Sequence, residues 1–279
     1  MARNIILTGV PRSGTTLVCH LLNHLPDTVA LDEPLTEDFF ALSGASGEIR
    51  RRLAEFMRET RENLRLKGMA PSVHVQGRVP DNHLSDETGE ERLRRQVYQK
   101  GMIPFDQALA GDFTLCVKHN ASFTAILHEL ADCYPCFAVI RNPLASLASW
   151  QTVDLPVQRG RIPLGERLDH NLAAELAGME DRLDRQLHIL HWFFSRFQQC
   201  LPPENILRYE DLVAESSSAL ARIVPGAVGL RQTLRSRNSN PLYHWETMDA
   251  IAARLLASKG AYWDFYSRRE VSALKNQQC

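Results

Sequence analysis

The stretch Ile5-Ile-Leu-Thr-Gly-Val-Pro-Arg-Ser-Gly-Thr-Thr16 decides the fold of this 279-residue chain. Its first four residues form a short, mainly apolar run, which predicts a buried strand over residues 5–8. A glycine-containing loop follows, and a helical pattern extends over residues 15–25. Backbone N–H groups of such a loop, together with the N-terminus of the helix, attract an anion. The sequence therefore predicts an anion-binding loop between the first strand and the first helix.

Strand and helix patterns alternate through most of the remaining chain. Apolar runs predict strands at 29–31, 114–118, 137–140 and 205–208. Helical patterns cover residues 122–131, start again at Leu144, and form one long amphipathic helix over residues 168–200. This order predicts a single α/β domain over residues 1–279, with a P-loop-type parallel sheet that helices flank on both faces.

Residues 43–110 interrupt this alternation. They begin with a charged helical stretch at 48–67, continue with loops rich in Gly, Pro and His, and end with a second charged stretch at 90–100. Loops at the carboxyl ends of strands usually carry ligand selectivity in open α/β folds. We interpret this region as an insertion that caps the sheet and forms an acceptor lid; a decorative surface insertion is the alternative.

The overall composition argues against several classes of partner. The chain has 32 basic and 33 acidic residues, so no net field favours nucleic acid or an anionic membrane. No apolar run reaches the length of a membrane span, and we expect a cytoplasmic protein without membrane insertion. The sequence shows no heptad pattern, and it leaves the oligomeric state open.

The six cysteines are scattered, and we expect them to be reduced. Cys133-Tyr-Pro-Cys136 has the spacing of a redox motif, and His128 could join it as a zinc ligand. No fourth ligand is visible in the sequence, so we favour a structural role for these residues and predict no metal site.

The loop differs from that of a nucleoside triphosphatase in two respects. The spacing of Gly9 and Gly14 fits a Walker-type loop, but Thr15 stands where such an enzyme carries lysine. Arg12 supplies the cation instead. The strand at 137–140 is followed by Arg141, whereas a triphosphatase commonly has a Mg²⁺-binding Asp there. An arginine at this place suits an additional phosphate group, which its guanidinium can hold with two parallel hydrogen bonds.

Three segments resemble motifs of the sulfotransferases that use 3′-phosphoadenosine 5′-phosphosulfate (PAPS). Pro11-Arg-Ser-Gly-Thr-Thr-Leu17 resembles their 5′-phosphosulfate loop, with arginine at position 12 as in carbohydrate-modifying members. Arg141 and Ser149, eight positions apart, resemble their 3′-phosphate motif. Ile206-Leu-Arg-Tyr-Glu-Asp-Leu212 resembles the strand whose tyrosine lies near the adenine. The family's closing Arg-Lys-Gly loop is represented at most by Ser258-Lys259-Gly260.

This resemblance implies transfer of the sulfuryl group of PAPS to an acceptor hydroxyl, on a sugar or a natural product, with adenosine 3′,5′-bisphosphate (PAP) as the other product. It also implies a set of nucleotide-binding residues. They are Arg12, Ser13, Gly14, Thr15 and Thr16 at the phosphosulfate, Arg141, Ser149, Lys259 and Gly260 at the 3′-phosphate, and Tyr209 at the adenine. Arg12 also has a catalytic role, because it would stabilise the charge that develops on the bridging oxygen.

Two residues are candidates for the base that takes the acceptor proton. Glu33 follows the second strand, in a segment similar to the Glu-Pro segment of carbohydrate sulfotransferases, and we expect desolvation to raise its pKa. His119 directly follows Lys118, whereas cytosolic sulfotransferases usually have one residue between that lysine and their catalytic histidine. A carboxylate paired with a neighbouring arginine, and a histidine that orients a loop through Asn120, are the structural alternatives. We favour Glu33 over His119.

Two other functions remain open on the sequence alone. A P-loop kinase would use the same kind of loop, but with lysine beside the second glycine and with Mg²⁺-bound ATP. A nucleotide-binding module without turnover would keep the loop and serve as an interaction protein.

Overall fold

The computed structural model of the chain describes residues 3–41, 47–88 and 93–276. Parts of the predicted insertion, at 43–46 and 89–92, therefore lie outside the described residues. Cys279 also lies outside them. The strands are β1 (Arg3–Gly9), β2 (Thr28–Asp32), β3 (Met69–His74), β4 (Leu84–Thr88), β5 (Arg94–Gln96), β6 (Gln99–Pro104), β7 (Thr114–Lys118), β8 (Cys136–Ile140) and β9 (Ile206–Arg208). The α-helices are α1 (Thr15–Leu22), α2 (Glu37–Ala41), α3 (Glu48–Lys67), α4 (Ala121–Ala125), α5 (Leu127–Ala131), α6 (Pro143–Gln151), α7 (Pro163–Leu168), α8 (His170–Ala177), α9 (Arg182–Cys200), α10 (Tyr209–Ala214), α11 (Ser216–Ala221), α12 (Trp245–Ala257) and α13 (Arg268–Asn276).

The central sheet has the strand order β2-β7-β1-β8-β9, and its strand pairs are all parallel. Side chains of successive residues in β1 point to opposite faces: Ile6 belongs to one hydrophobic core, while Ile5 and Leu7 belong to the other. Helix α1 packs into the second core, and α3 and α9 pack into the first. The predicted α/β fold with helices on both faces is confirmed.

The strand connections run in opposite directions around β1: β1 is followed by β2 on one side of the sheet, whereas β7 is followed by β8 on the other side of β1. Ligands of open parallel sheets bind at such a switch point, in the crevice outside the carboxyl ends of the strands. The loop after β1 and the residues after β8 meet at this crevice.

Two predicted helices are each broken in the structure. The long helix predicted over 168–200 is divided into α8 and α9, because Gly178 ends α8 and the Asp181 side chain accepts a hydrogen bond from Asp184 N, 2.9 Å away, to cap α9. The helix predicted over 122–131 is divided into α4 and α5 at Ile126, whose φ of −107° and ψ of 19° lie outside the helical region. Apolar periodicity continued across both breaks, which is why the prediction missed them.

The insertion contains the predicted charged helix, α3, followed by strands where loops were expected. β3 pairs with β6 and β4 pairs with β5, both in antiparallel fashion. The buried hydroxyl of Ser72 on β3 accepts a hydrogen bond from Asp32 N at the end of β2, 3.0 Å away. This contact joins the insertion to the carboxyl end of the central sheet. Among the helices of the described segments, none is both long and apolar enough to cross a membrane.

Candidate active site

The loop after β1 has a tight backbone that depends on Gly14. Gly14 has φ of 99°, in the left-handed region that glycine adopts without strain, and Arg12 shares that region with φ of 70°. A Cβ atom on Gly14 would lie 2.9 Å from Cδ2 of Tyr209. The Ser13 hydroxyl donates to the Val139 carbonyl at 2.8 Å, and α1 begins at Thr15. The loop is thus held against β8 while the N-terminus of α1 opens towards the crevice.

The Arg12 side chain crosses from the loop to the insertion. Its NH1 and NH2 groups both donate to Oδ1 of Asn82, each at 3.2 Å, and its Nε lies 3.5 Å from the Ser149 hydroxyl. Desolvation, with the positive charges of Arg94 and Arg141, lowers the pKa of Arg12 to about 9, so it remains cationic at neutral pH. An anion would relieve this repulsion between guanidinium groups.

Arg141 follows β8 and is 4% exposed. Its NH1 donates to the Arg12 carbonyl at 3.0 Å, its Nε donates to Asn238 Oδ1 at 2.7 Å, and its NH2 donates to the Arg237 carbonyl. These bonds use three of the five N–H groups of a guanidinium, which leaves two for a ligand. The resemblance assigns Ser149 and Arg141 to one phosphate, whereas in the structure the Ser149 hydroxyl lies beside Arg12 Nε.

Tyr209, at the start of α10, is buried between the loop and Arg141. The Arg141 guanidinium lies 4.8 Å from the centre of the Tyr209 ring. The Tyr209 hydroxyl accepts a hydrogen bond from Arg237 N at 3.0 Å. The Tyr209 ring also lies directly against Gly14. The tyrosine is therefore part of the crevice wall.

The structure brings a different C-terminal segment to the crevice from the one the sequence predicted. The cavity is lined there by Thr233, Leu234, Arg235 and Arg237. Lys259 and Gly260 are not among its lining residues. Their turn is held elsewhere, because Ala261 N donates to Nδ1 of His191 on α9 at 3.0 Å. Two arginines two positions apart were the sequence signal that could have pointed to the segment that lines the cavity.

A buried lysine joins the ends of β2 and β7, and it was not predicted as a site residue. Nζ of Lys118 donates to Oδ1 of Asp32 at 2.8 Å and to Oε1 of Glu33 at 3.0 Å. The Lys118 and Asp32 side chains are almost completely inaccessible, while the Glu33 side chain is 32% exposed. The alternative interpretation of Glu33, as a carboxylate in a structural ion pair, predicted an arginine as its partner. The observed partner is Lys118.

The expected rise in the pKa of Glu33 is wrong in direction. Burial by itself raises the pKa of Glu33, but the ammonium group of Lys118 outweighs burial, and the net pKa lies below the ordinary value. The pKa of Asp32 is lowered through the same balance, and the two carboxylates raise the pKa of Lys118 in spite of its burial. Glu33 is therefore an ionised carboxylate at neutral pH.

His83, in the insertion, lies between this carboxylate pair and the start of α1. Its Nδ1 is 3.6 Å from Oδ2 of Asp32 and 3.4 Å from the hydroxyl of Thr16. Asn82 contacts Arg12 from the same turn of the insertion. The insertion thus supplies two consecutive side chains to the site, and neither was predicted.

His119 is buried behind Glu33. Its Nε2 accepts a hydrogen bond from Leu35 N at 3.1 Å, so the neutral ring carries its proton on Nδ1. The rings of Phe40 and Phe123 lie at 5.4 and 5.0 Å from the imidazole. Burial lowers the pKa of His119 to about 4. The Nε2 lone pair, with which the neutral ring would take up a proton, already accepts the hydrogen bond from Leu35 N. His119 is therefore the weaker of the two candidates for the base.

The cysteine motif does not form a metal site in the described structure. Cys133 is exposed and Cys136 is buried. Across residues 3–41, 47–88 and 93–276, no three His, Cys, Asp or Glu side chains gather as a ligand set would.

One cavity of about 710 Å³ joins these parts. Arg12, Arg141 and Tyr209 line it, together with Glu33 and His119. Ligand sites typically have volumes of roughly 300–1,000 Å³. The fold and the cavity define the class of protein: an α/β protein of the P-loop type with an arginine-lined cavity at the switch point of its sheet.

The chain belongs to the sulfotransferase family, whose sequence profile matches residues 4–227. Family membership supports a sulfuryl-transfer activity for this chain. A search among curated proteins finds no significant match.

Solved structures that are similar to the chain include three sulfotransferases. A sulfotransferase from Alicyclobacillus acidocaldarius has 13% identity and a TM-score of 0.41, with 95% of this chain and 99% of that chain covered. The sulfotransferase domain from the curacin biosynthetic pathway has 11% identity and a TM-score of 0.36, with coverage of 87% and 78%. A sulfotransferase from Mycobacterium tuberculosis has 16% identity and a TM-score of 0.35, with coverage of 91% and 76%.

Proposed function

We propose that this protein transfers the sulfuryl group of PAPS to an acceptor hydroxyl. The observation that carries the proposal is the meeting of Arg12 and Arg141 in one cavity, joined by a hydrogen bond from one side chain to the carbonyl of the other. Two arginines in place of a P-loop lysine and a Mg²⁺-binding aspartate suit a nucleotide that carries a 3′-phosphate as well as a phosphosulfate. ATP lacks the 3′-phosphate.

The residues present fit such a donor. Backbone N–H groups at 13–16 and the N-terminus of α1 would hold the phosphosulfate, with the Arg12 guanidinium beside it. The two remaining N–H groups of Arg141 would bind the 3′-phosphate, and Arg237 at the cavity edge is a further cation for it. Tyr209 offers a ring for the adenine. When bound, PAPS supplies an electrophilic sulfur atom.

Glu33 is our proposed base. In the transfer, the acceptor oxygen forms a bond to sulfur while the bond between sulfur and the bridging phosphate oxygen breaks. The acceptor proton passes to the Glu33 carboxylate, and the electron pair of the broken bond stays on the bridging oxygen. Lys118 keeps Glu33 ionised and ready to accept the proton, and Arg12 stabilises the negative charge on the leaving oxygen.

Nucleotide binding tests the donor. The thermal midpoint of the protein is measured with PAP and with ATP plus Mg²⁺, for the wild type and for Arg12→Met and Arg141→Met. A ligand at 100 times its dissociation constant stabilises the folded protein by about 2.7 kcal/mol, which moves the midpoint by several degrees. We expect this shift with PAP and its loss in both variants. A larger shift with ATP and Mg²⁺ would favour the kinase instead.

Turnover tests the base. Formation of PAP from PAPS is followed with a panel of hydroxyl acceptors for the wild type, Glu33→Gln and His119→Gln. We expect Glu33→Gln to reduce kcat by about 10²–10⁴-fold, the usual contribution of general base catalysis, without loss of PAP binding. If His119→Gln, and not Glu33→Gln, reduces kcat by this factor, the histidine is the base. If the wild type shows no turnover, a nucleotide-binding module without catalysis is favoured.

A further inference from the structure

Part of the cavity wall is apolar and belongs to one short segment, which we call the apolar wall. It follows α6 and runs into the first turn of α7, and its cavity-lining members are Leu155, Pro156, Val157, Ile162, Pro163 and Leu164. Val157 and Ile162 are buried and anchor the segment in the core, whereas Leu155 and Leu164 are half-buried and Pro156 and Pro163 are exposed. The exposed part is thus apolar surface that faces the cavity without a covering residue in the described structure.

The apolar wall lies beside the two base candidates. Helix α7 forms the C-terminal end of the apolar wall and packs against α4. Helix α4 starts directly after His119 and Asn120. A Cβ atom on Gly165 would lie 3.5 Å from Cβ of Ala121 at the start of α4. Arg167 of α7 is 3.7 Å from Glu37, which starts the helix that follows Glu33. The apolar wall therefore flanks the end of the cavity where a hydroxyl would meet the base.

The cationic groups that suit a nucleotide come from other segments of the chain. They are supplied by the loop after β1, by Arg141 and by Arg235 and Arg237. The one cation within the wall segment, Arg161, is already paired: its Nε donates to Oε2 of Glu166 at 2.8 Å. The residues that suit a nucleotide and the apolar wall thus belong to different segments around one cavity.

This division has an energetic consequence for the choice of acceptor. Burial of each methylene contributes about 0.8 kcal/mol, so an apolar body gains binding free energy along the wall. A hydroxyl that is desolvated against the same wall without a hydrogen-bond partner costs about 1–3 kcal/mol. A polyhydroxylated sugar would place several such groups there.

We propose that the acceptor is an uncharged alcohol or phenol whose hydroxyl is carried on an apolar body, and that the apolar wall selects it. This inference rests on the proposed sulfuryl transfer. It chooses the apolar natural-product type over the sugar, because the wall offers the acceptor contact area rather than hydrogen-bond partners. The ionised Glu33 at the same end disfavours an anionic acceptor.

A series of primary alcohols tests the proposal. The full-length protein is supplied with PAPS and with 1-butanol, 1-hexanol, 1-octanol or glucose, and release of PAP is measured. We expect kcat/KM to rise about fourfold for each added methylene, which is the factor that corresponds to about 0.8 kcal/mol, until the wall is covered. Glucose, with several hydroxyls and no apolar body, should be a poorer acceptor than 1-octanol.

Leu164→Gln and Leu155→Gln place an amide on the wall without removing a core residue. We expect both variants to reduce the increase per methylene to less than twofold while PAP binding stays unchanged. Leu66→Gln, at a leucine that is 73% exposed on α3 and does not line the cavity, is the matched control and should behave as the wild type.

The outcomes separate this inference from the function on which it depends. If PAP does not bind, the proposed sulfuryl transfer itself is refuted, together with the acceptor that depends on it. If PAP binds but glucose surpasses the alcohols, or the rates do not depend on chain length, the apolar acceptor is refuted. For the case without turnover, the thermal midpoint of the PAP complex is measured with 1-octanol: a rise that Leu164→Gln abolishes supports the proposal, and no rise overturns it.

Discussion

Arg141 donates a hydrogen bond from NH1 to the backbone carbonyl of Arg12, across 3.0 Å. The two residues are 129 positions apart, one in the loop after β1 and one directly after β8. Through its other two nitrogens Arg141 also holds the carbonyl of Arg237 and the amide of Asn238. One buried guanidinium thus joins the loop to the C-terminal segment of the cavity.

Arg141→Lys keeps the charge but cannot reach three acceptors in one plane. A hydrogen bond from a charged group contributes about 1.5–3 kcal/mol, so we expect a stability loss of that size in urea unfolding. We also expect PAP to bind at least about tenfold more weakly by calorimetry, since about 1.4 kcal/mol corresponds to tenfold. Arg254→Lys, at an arginine bonded to Asp184 on the surface, is the control and should change neither quantity. Unaltered PAP affinity in Arg141→Lys would contradict the role of this residue.

Gly14→Ala tests the close approach between the loop and Tyr209. A side chain at φ of 99° costs about 1–2 kcal/mol, and the new methyl group would also displace the tyrosine ring. We expect lower stability in urea and loss of the thermal shift with PAP. Gly111→Ala is the matched control, because a Cβ atom there meets no atom within 4 Å. Full PAP binding by Gly14→Ala would show that the loop does not contact the nucleotide.

Lys118→Met tests what keeps Glu33 ionised. The lowered pKa of Glu33 places the acid limb of the kcat/KM profile below the ordinary value of about 4.3. Without the lysine, burial and repulsion from Asp32 should move this limb upward by about 1–3 pH units. The profiles are measured in a His119→Gln background, because the pKa of His119, about 4, falls in the same window.

Removal of a buried charge also destabilises the fold by about 3–5 kcal/mol, so Lys118→Arg is measured beside Lys118→Met. The arginine keeps the positive charge and should return the limb towards its wild-type position. A limb that stays in place in Lys118→Met would exclude Glu33 as the titrating base.

His119→Gln tests the buried histidine through stability. The unfolded histidine has a pKa of about 6.5 and the folded one a pKa of about 4, so the unfolded chain binds more protons between these values. Stability that is present above pH 6.5 is therefore lost as the pH falls towards 4. From pH 7 to pH 5 we expect this residue to account for a loss of about 2 kcal/mol.

Glutamine can accept the hydrogen bond from Leu35 N but does not titrate. The difference in unfolding free energy between pH 7 and pH 5, measured in urea, should thus be smaller in His119→Gln than in the wild type. Equal losses in both proteins would mean that His119 titrates normally in the folded state.

Local patterns were sufficient for the main elements of the sheet. The apolar runs predicted β1, β2, β7, β8 and β9 to within two residues at each end, because a strand buried on both faces is apolar nearly throughout. The glycine spacing located the loop before α1, and the position of Arg141 directly after a strand located the opposite side of the crevice. The capping residue Asp181 was present in the sequence, but the apolar period concealed the break that it causes.

The contacts of the site could not be derived in this way. Lys118 reaches Glu33 only because β2 and β7 are neighbours in register, with Asp32 opposite Lys118. Asn82 reaches the loop and His83 reaches α1 because the insertion folds back over the strand ends. Arg237, rather than Lys259, lines the cavity because Arg141 holds its segment there. The strands of the central sheet follow from the polarity of their own residues. Which side chains meet depends on strand order and packing over 60 to 130 positions, where the free energy belongs to the whole fold rather than to any one segment.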